Sequence, residues 1–264
     1  MKKHRSSQFL AICTAAVLAL SVPAWASQVS ITPLDTGNTT SSQSQSGASE
    51  PSTAQNTSGQ TVDISSITKP TVASQGAVLL NAADGSVLFS KNGDTTYYPA
   101  SITKLMTALL VAENCNLDDT VTFSATATTN LESGAVSIGM AEGDTMTVRQ
   151  CLYALLLKSA NEVGNALAEH VAGSNAAFAE KMNAKAASLG CTNTHFANPH
   201  GLNDPNHYTT PHDMALIARA AFANDIVKTV ASTRTYTLPA TKNNPSGLTV
   251  TMGHKMLNPN DARY

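Results

Sequence analysis

The tetrapeptide Ser-Ile-Thr-Lys occurs twice in this 264-residue chain, at Ser66–Lys69 and at Ser101–Lys104. A serine hydroxyl is a weak nucleophile until an adjacent base takes its proton, and a lysine amine becomes that base only when it is neutral. From the reference lysine pKa of about 10.4, neutralisation at pH 7 costs roughly 4.6 kcal/mol. Partial burial and a second nearby cation lower that cost. The chemistry therefore needs a scaffold that holds both side chains on one face.

The first copy is followed directly by Pro70, which disfavours helical geometry in the residue before it, so nothing holds Ser66 and Lys69 together. The second copy follows Pro99, which suits a helix start. From there Ile102, Leu105, Met106, Leu109 and Leu110 keep helical apolar spacing. Ser101 is expected in the first helical turn, with Lys104 one turn on, about 5–6 Å away between Cβ atoms. Both flank the apolar arc, at the expected rim of a core-lined cleft. A first-turn serine beside an exposed lysine stays open as the alternative.

A second serine creates a tension. Val148, Cys151, Leu152, Leu155 and Leu156 form one helical stripe, and Val163, Ala166, Leu167 and Val171 form another. Ser159-Ala160-Asn161 stands between them. If the first helix ran on unbroken, Ser159 would lie on its apolar face. The choice is between a site residue and a buried inter-helix hydrogen bond.

The surrounding elements follow from local signals. Apolar runs on either side of Ala83-Asp84-Gly85 predict a hairpin leading into the Ser101 helix. A further helix is predicted to stop at Gly190. Another is predicted to begin with Thr210 as cap, Pro211 in first position and Asp213 completing a capping box, burying Met214, Ile217, Ala218, Ala221 and Phe222. The stretches RTYTLPA and GLTVTMGH predict strands. Hairpin, helices, then strands is an α+β order.

Residues 1–26 are read as a secretory signal: Lys2, Lys3 and Arg5, an apolar run from Phe9 to Leu20, and an Ala24-Trp25-Ala26 cleavage site. A lipid-bearing Cys13 is the alternative, disfavoured by the bulky Ile12 before it. Secretion, with an extracytoplasmic, wall-associated location, is the expectation. Loss of these three cations moves the net charge from −2 to −5 and leaves no basic block, which argues against a nucleic-acid partner. Residues 27–70, rich in Ser, Thr, Gln and Gly, are expected to be a disordered linker. Residues 71–264 then form one domain with enough chain for a sizeable core. Cys115, Cys151 and Cys191 allow at most one bridge, and Cys151 reads as a buried free thiol.

Ser-x-x-Lys at a helix start followed by Ser-x-Asn between helices resembles the penicillin-recognising serine transferases, and within them the secreted D-alanyl-D-alanine carboxypeptidases. The stretches PASITKLMTALL, LLLKSANEVGNALAEHVAG, MNAKAASLG and FANPHGLNDPNHYTTPHDMALIARAAF carry the resemblance. It implies an α+β fold of the DD-peptidase/β-lactamase kind, an antiparallel sheet packed with a helical subdomain, and no cofactor or metal. It also implies Ser101 as the nucleophile acylated by the penultimate D-alanine of a peptidoglycan pentapeptide, with Lys104 as general base. Ser159 would relay a proton to the departing D-alanine, and Asn161 would bind the substrate amide and help place Lys104. β-Lactam antibiotics would act as inhibitors.

The family's third motif, Lys-Thr-Gly on a strand, is absent, and Lys228-Thr229-Val230 lacks the glycine. The ending GHKMLNPNDARY resembles the segment leading into that strand, so a chain cut short of it, with an incomplete sheet and no visible membrane anchor, is the expectation. By the resemblance, that strand supplies a second cation and an oxyanion donor, and loss of such a donor typically costs about 2.7–4 kcal/mol. A weak, inactive or poorly folded chain is expected, or a penicillin-binding or wall-binding fragment without turnover. A zinc peptidase built on His195, His200, His207 and His212 is a rival whose spacings match no common ligand pattern. A class A β-lactamase is another, and its Glu-x-x-Leu-Asn segment does not occur.

Overall fold

The computed structural model describes residues 53–55, 61–63, 70–129 and 131–254, all within a unit spanning Pro51–Tyr264. The expected signal segment, Ser66–Lys69 and residues 255–264 lie outside the described residues. Within the stretch expected as linker, Thr53–Gln55 (β1) and Thr61–Asp63 (β2) pair antiparallel, with Ala54 opposite Val62. Thr and Val favour strands even in a polar stretch, a signal that bulk composition averages away.

The predicted hairpin is Ala77–Leu80 (β3) and Val87–Lys91 (β4). Its turn closes through the Asn81 amide donating to Ser86 O at 2.8 Å, with Gly85 at φ 83°. The chain then enters a single 3-10 turn, Ala100–Thr103, before the α-helix Lys104–Asn114 (α1). That turn corrects one expectation. With three residues per turn instead of 3.6, it swings Ile102 off the buried stripe, and Ile102 is 54% exposed.

Thr120–Thr122 (β5), the short helix Ala125–Thr128 (α2) and Thr145–Thr147 (β6) follow, with β5 antiparallel to β6. Thr147 and Gln150 form a reciprocal capping box at the start of Val148–Tyr153 (α3), satisfying two otherwise unpaired amides. The helix widens into a π turn over Ala154–Lys158 and ends at Ser159 in the left-handed conformation. Asn161–Ala172 (α4) is closed by Gly173 at φ 80°, and Asn175–Ser188 (α5) is capped by Ser174. Pro211–Ala223 (α6) starts on the Thr210 cap, as predicted, and Asp225–Ala231 (α7) starts on Asn224. Thr235–Leu238 (β7) and Leu248–Thr251 (β8) pair antiparallel.

The class is α+β, with described strands paired two by two around a helical core. The core collects Met106 and Leu109 of α1, Cys151 and Leu152 of α3, Leu155, Leu167 of α4, Phe178 and Met182 of α5, with Phe123, Phe196 and Ile217. The first eight residues of α4, Asn161 to Ala168, are all buried. A helix covered on all sides has no solvent face to carry its polar residues, so Asn161, Glu162 and Asn165 must find partners inside. On α6, Ile217 and Ala221 are buried as predicted. Phe222 is 47% exposed and instead lines an open apolar recess with Val78, Leu80, Leu189 and Leu216. Cys151 is buried and free, as the stripe predicted, and Cys115 and Cys191 are also free.

Leu152 is fully buried between helices, so Leu152→Ala removes apolar contact and leaves a cavity. The expected loss is about 2–5 kcal/mol of stability, measured by urea unfolding of the two proteins.

Candidate active site

Lys104 enters the core instead of the rim. It is 2% exposed, because the tight turn before α1 directs it between α4 and the loop that follows α5. Its Nζ has three partners: Asn161 Oδ1 at 2.8 Å, the His200 carbonyl at 2.7 Å and Ser101 Oγ at 3.2 Å. Burial lowers the amine from its ordinary 10.5 to about 8, and the Glu162 carboxylate pulls it partly back.

Those partners determine what the neutral amine can do. A protonated amine has three donors, and all three find oxygen here. Without its proton it keeps two N–H donors and one lone pair. Asn161 Oδ1 and His200 O can only accept, so they keep the two donors. The lone pair is left facing the Ser101 hydroxyl, the arrangement of a base beside its nucleophile. Ser159 Oγ donates to Ser101 Oγ at 3.0 Å, completing a chain from Ser159 through Ser101 to Lys104.

The structure thus brings Ser101, Lys104, Ser159 and Asn161 together. Ser159 leaves the apolar stripe because the π turn adds a residue to the helix and its own backbone, at φ 65°, turns the chain out. Ala100, directly before Ser101, stands at φ 49°. Left-handed backbone at two non-glycine residues costs of order 1–3 kcal/mol each, and such strain gathers at functional sites.

The other wall is the loop from Ala197 to His207. Thr107 Oγ1 donates to Pro199 O at 2.6 Å and Lys104 to His200 O, tying the loop to α1. Inside it, Asn198 Oδ1 accepts from Gly201 N at 2.7 Å, and His200 Nδ1 accepts from Leu202 N at 3.1 Å. His207 Nδ1 accepts from Ala197 N, which leaves Nε2 to donate to Thr103 Oγ1 at 2.8 Å. Burial depresses His200 to about 3 and His207 to about 4, so both rings are neutral near pH 7. His195 Nδ1 meets Asn206 O, and His212 Nδ1 lies 3.7 Å from Asp213. Among the described residues, no group of three or more His, Cys, Asp or Glu side chains could hold a metal ion.

Sequence reasoning missed Thr103, Thr107 and Glu162. Helical spacing from Lys104 would have put Thr107 on the same face one turn on. Nothing marked Glu162 beyond its position after Asn161. Gly201 carries a stricter requirement: a Cβ there would lie 1.8 Å from Ala100 O, and its φ of +87° disfavours other residues. Gly201→Ala is expected to displace the loop from the Ser101 turn and cost at least about 1–3 kcal/mol, read as a lower Tm by circular dichroism.

The D-alanyl-D-alanine carboxypeptidase family profile matches residues 63–260. A D-alanyl-D-alanine carboxypeptidase of Streptomyces sp. (strain K15) is 39% identical over 183 residues, 65% of this chain and 62% of that one. The D-alanyl-D-alanine carboxypeptidase DacF of Bacillus subtilis (strain 168) is 38% identical over 150 residues, 55% of this chain and 38% of that one. The chain thus spans between 38% and 62% of the length of these two relatives. Among solved structures, the Streptomyces K15 DD-transpeptidase superposes with a TM-score of 0.67 at 34% identity, covering 73% of this chain and 78% of that one. The D-alanyl-D-alanine carboxypeptidase of Mycobacterium tuberculosis H37Rv gives 0.67 at 30% identity, covering 74% and 72%.

Proposed function

Since the chain belongs to the D-alanyl-D-alanine carboxypeptidase family, we propose that it is a serine hydrolase that removes the terminal D-alanine from peptidoglycan stem peptides through an acyl-enzyme on Ser101. The observation that carries this reading is the Lys104 amine, whose two fixed acceptors leave its lone pair for the Ser101 hydroxyl.

In acylation, Lys104 takes the Ser101 proton while Oγ attacks the carbonyl of the penultimate D-alanine. The tetrahedral intermediate collapses and the peptide C–N bond breaks. Ser159, whose hydroxyl touches Ser101 Oγ, gives its proton to the leaving nitrogen and takes up the one Lys104 had accepted, so the Lys104 amine is neutral again. The Asn161 amide keeps Lys104 in line from one side and the loop carbonyl of His200 does so from the other. Water then attacks the ester with Lys104 taking its proton, the C–Oγ bond breaks, and Lys104 returns that proton to Oγ, which releases the shortened peptide and restores Ser101. A β-lactam acylates the same oxygen by ring opening, with no leaving group to diffuse away. The reaction takes place outside the cytoplasm, with the basic-then-apolar segment of residues 1–26 acting as the export signal.

A second acceptor is worth separating. The solved Streptomyces K15 relative is described as a DD-transpeptidase, in which an amine would replace water as acceptor. Adding a D-amino acid to the reaction and analysing products by mass spectrometry distinguishes exchange from hydrolysis.

Benzylpenicillin is expected to add one covalent equivalent to the wild-type chain and none to Ser101→Ala, read by intact mass. Lys104→Arg keeps the charge but cannot be deprotonated, and acylation should fall by about 10²–10⁴. Because the base form of Lys104 appears as pH rises through about 8, the acylation rate of the wild type should climb along an acid limb centred there. A flat profile between pH 6 and 9 would exclude Lys104 as the base.

A further inference from the structure

We infer that Glu162 is a positioning residue for the Ser101–Lys104 pair: its buried carboxylate clamps the Val136–Gly139 segment, and that segment fixes which way the Asn161 amide faces Lys104. The inference rests on the acyl-enzyme reading above and adds a residue to it.

Glu162 is 1% exposed in the first turn of α4. Its Oε1 accepts from Ser137 Oγ at 2.6 Å, Ile138 N at 2.7 Å and Gly139 N at 3.1 Å. Two backbone amides and one hydroxyl converge on this one oxygen and hold the segment. One residue earlier, the Val136 carbonyl accepts from Asn161 N and from Asn161 Nδ2, both at 2.9 Å. An asparagine amide has one donor end and one acceptor end. With Nδ2 committed to Val136, Oδ1 must face the other way, and there it receives the Lys104 amine at 2.8 Å. The orientation of Asn161 therefore depends on where the Val136 carbonyl sits, and Glu162 holds the next three residues.

The far side of the segment is anchored separately. Asn244 Nδ2 donates to Ile138 O at 2.9 Å and Asn243 Nδ2 to Gly139 O at 2.8 Å, from the loop between β7 and β8. Val136, by contrast, is 42% exposed, and among the described residues its carbonyl is held by Asn161 alone. Loss of the clamp would release that end of the segment while its far side stays tied.

Glu162 also acts on Lys104 by charge. Its second oxygen, Oε2, is buried with no hydrogen-bond partner among the described residues. The titratable groups facing Lys104 are Glu162 from α4 and His200 from the loop, with His207 behind it, and both histidines are neutral near pH 7. The Glu162 carboxylate works against burial and favours the protonated Lys104 amine. Removing the charge should ease deprotonation, which a purely structural role would not do.

Two variants of the full chain separate the roles. Glu162→Gln keeps a carbonyl oxygen for the three donors and removes the charge. Its benzylpenicillin acylation profile should keep its maximum rate within about threefold while the acid limb moves to lower pH. Glu162→Ala removes the clamp, and the second-order acylation rate should drop between about tenfold and 10²-fold, with faster hydrogen exchange at Ile138 and Gly139. An acid limb of Glu162→Gln that superposes on the wild type, or a Glu162→Ala rate within twofold of it, overturns the proposal and leaves the serine reading standing. A wild-type chain that never acylates overturns both.

Discussion

One buried amine joins three parts of the chain. Lys104 comes from α1, Asn161 from the start of α4, and the His200 carbonyl from the loop before α6. An ammonium that has lost its water is tolerated only where oxygen replaces that water on every proton, and Asn161, His200 and Ser101 supply it. Most of the remaining architecture serves that demand. The all-round burial of α4 holds its first turn still, and the hydroxyls of Thr103 and Thr107 draw the loop onto α1. Gly201 lets the loop approach Ala100 closely.

Burial and chemistry pull in the same direction here. The desolvation that makes Lys104 expensive as a cation is what favours its neutral, proton-accepting form, and the nearby Glu162 carboxylate limits how far that shift goes. The site is thus a compromise between an apolar surrounding and a single compensating charge. The strained backbone at Ala100 and Ser159 belongs to the same arrangement. Each residue bends the chain where a hydroxyl must leave the line of its helix.

The parts of this arrangement that depend on local sequence could be read in advance. The hairpin at Asp84-Gly85, the Thr210-Pro211 cap, the stop at Gly190 and the buried Cys151 stripe all follow from residue types within a few positions. Ser159 was visible as a contradiction, a hydroxyl on an apolar face. Its resolution through a π turn was not, because periodicity assumes a constant 3.6 residues per turn. The same assumption put Ile102 on the buried stripe and Lys104 at the rim. The 197–207 loop and Glu162 were illegible for a different reason. Their roles come from contacts with distant segments, and nothing near them in sequence specifies those contacts.

The bonds from α1 and the turn before it to that loop span 92 to 104 positions of chain. Contacts of that separation form only after much of the intervening chain has ordered, since loop closure must be paid before they stabilise anything. Until then Lys104 is an ordinary solvated lysine, protonated near pH 7, and Ser101 an ordinary serine. The Lys104–Ser101 arrangement is therefore a property of the finished tertiary structure alone. The reactivity proposed for Ser101 would then serve as a clock for folding, counting only chains in which the last long-range contact has closed.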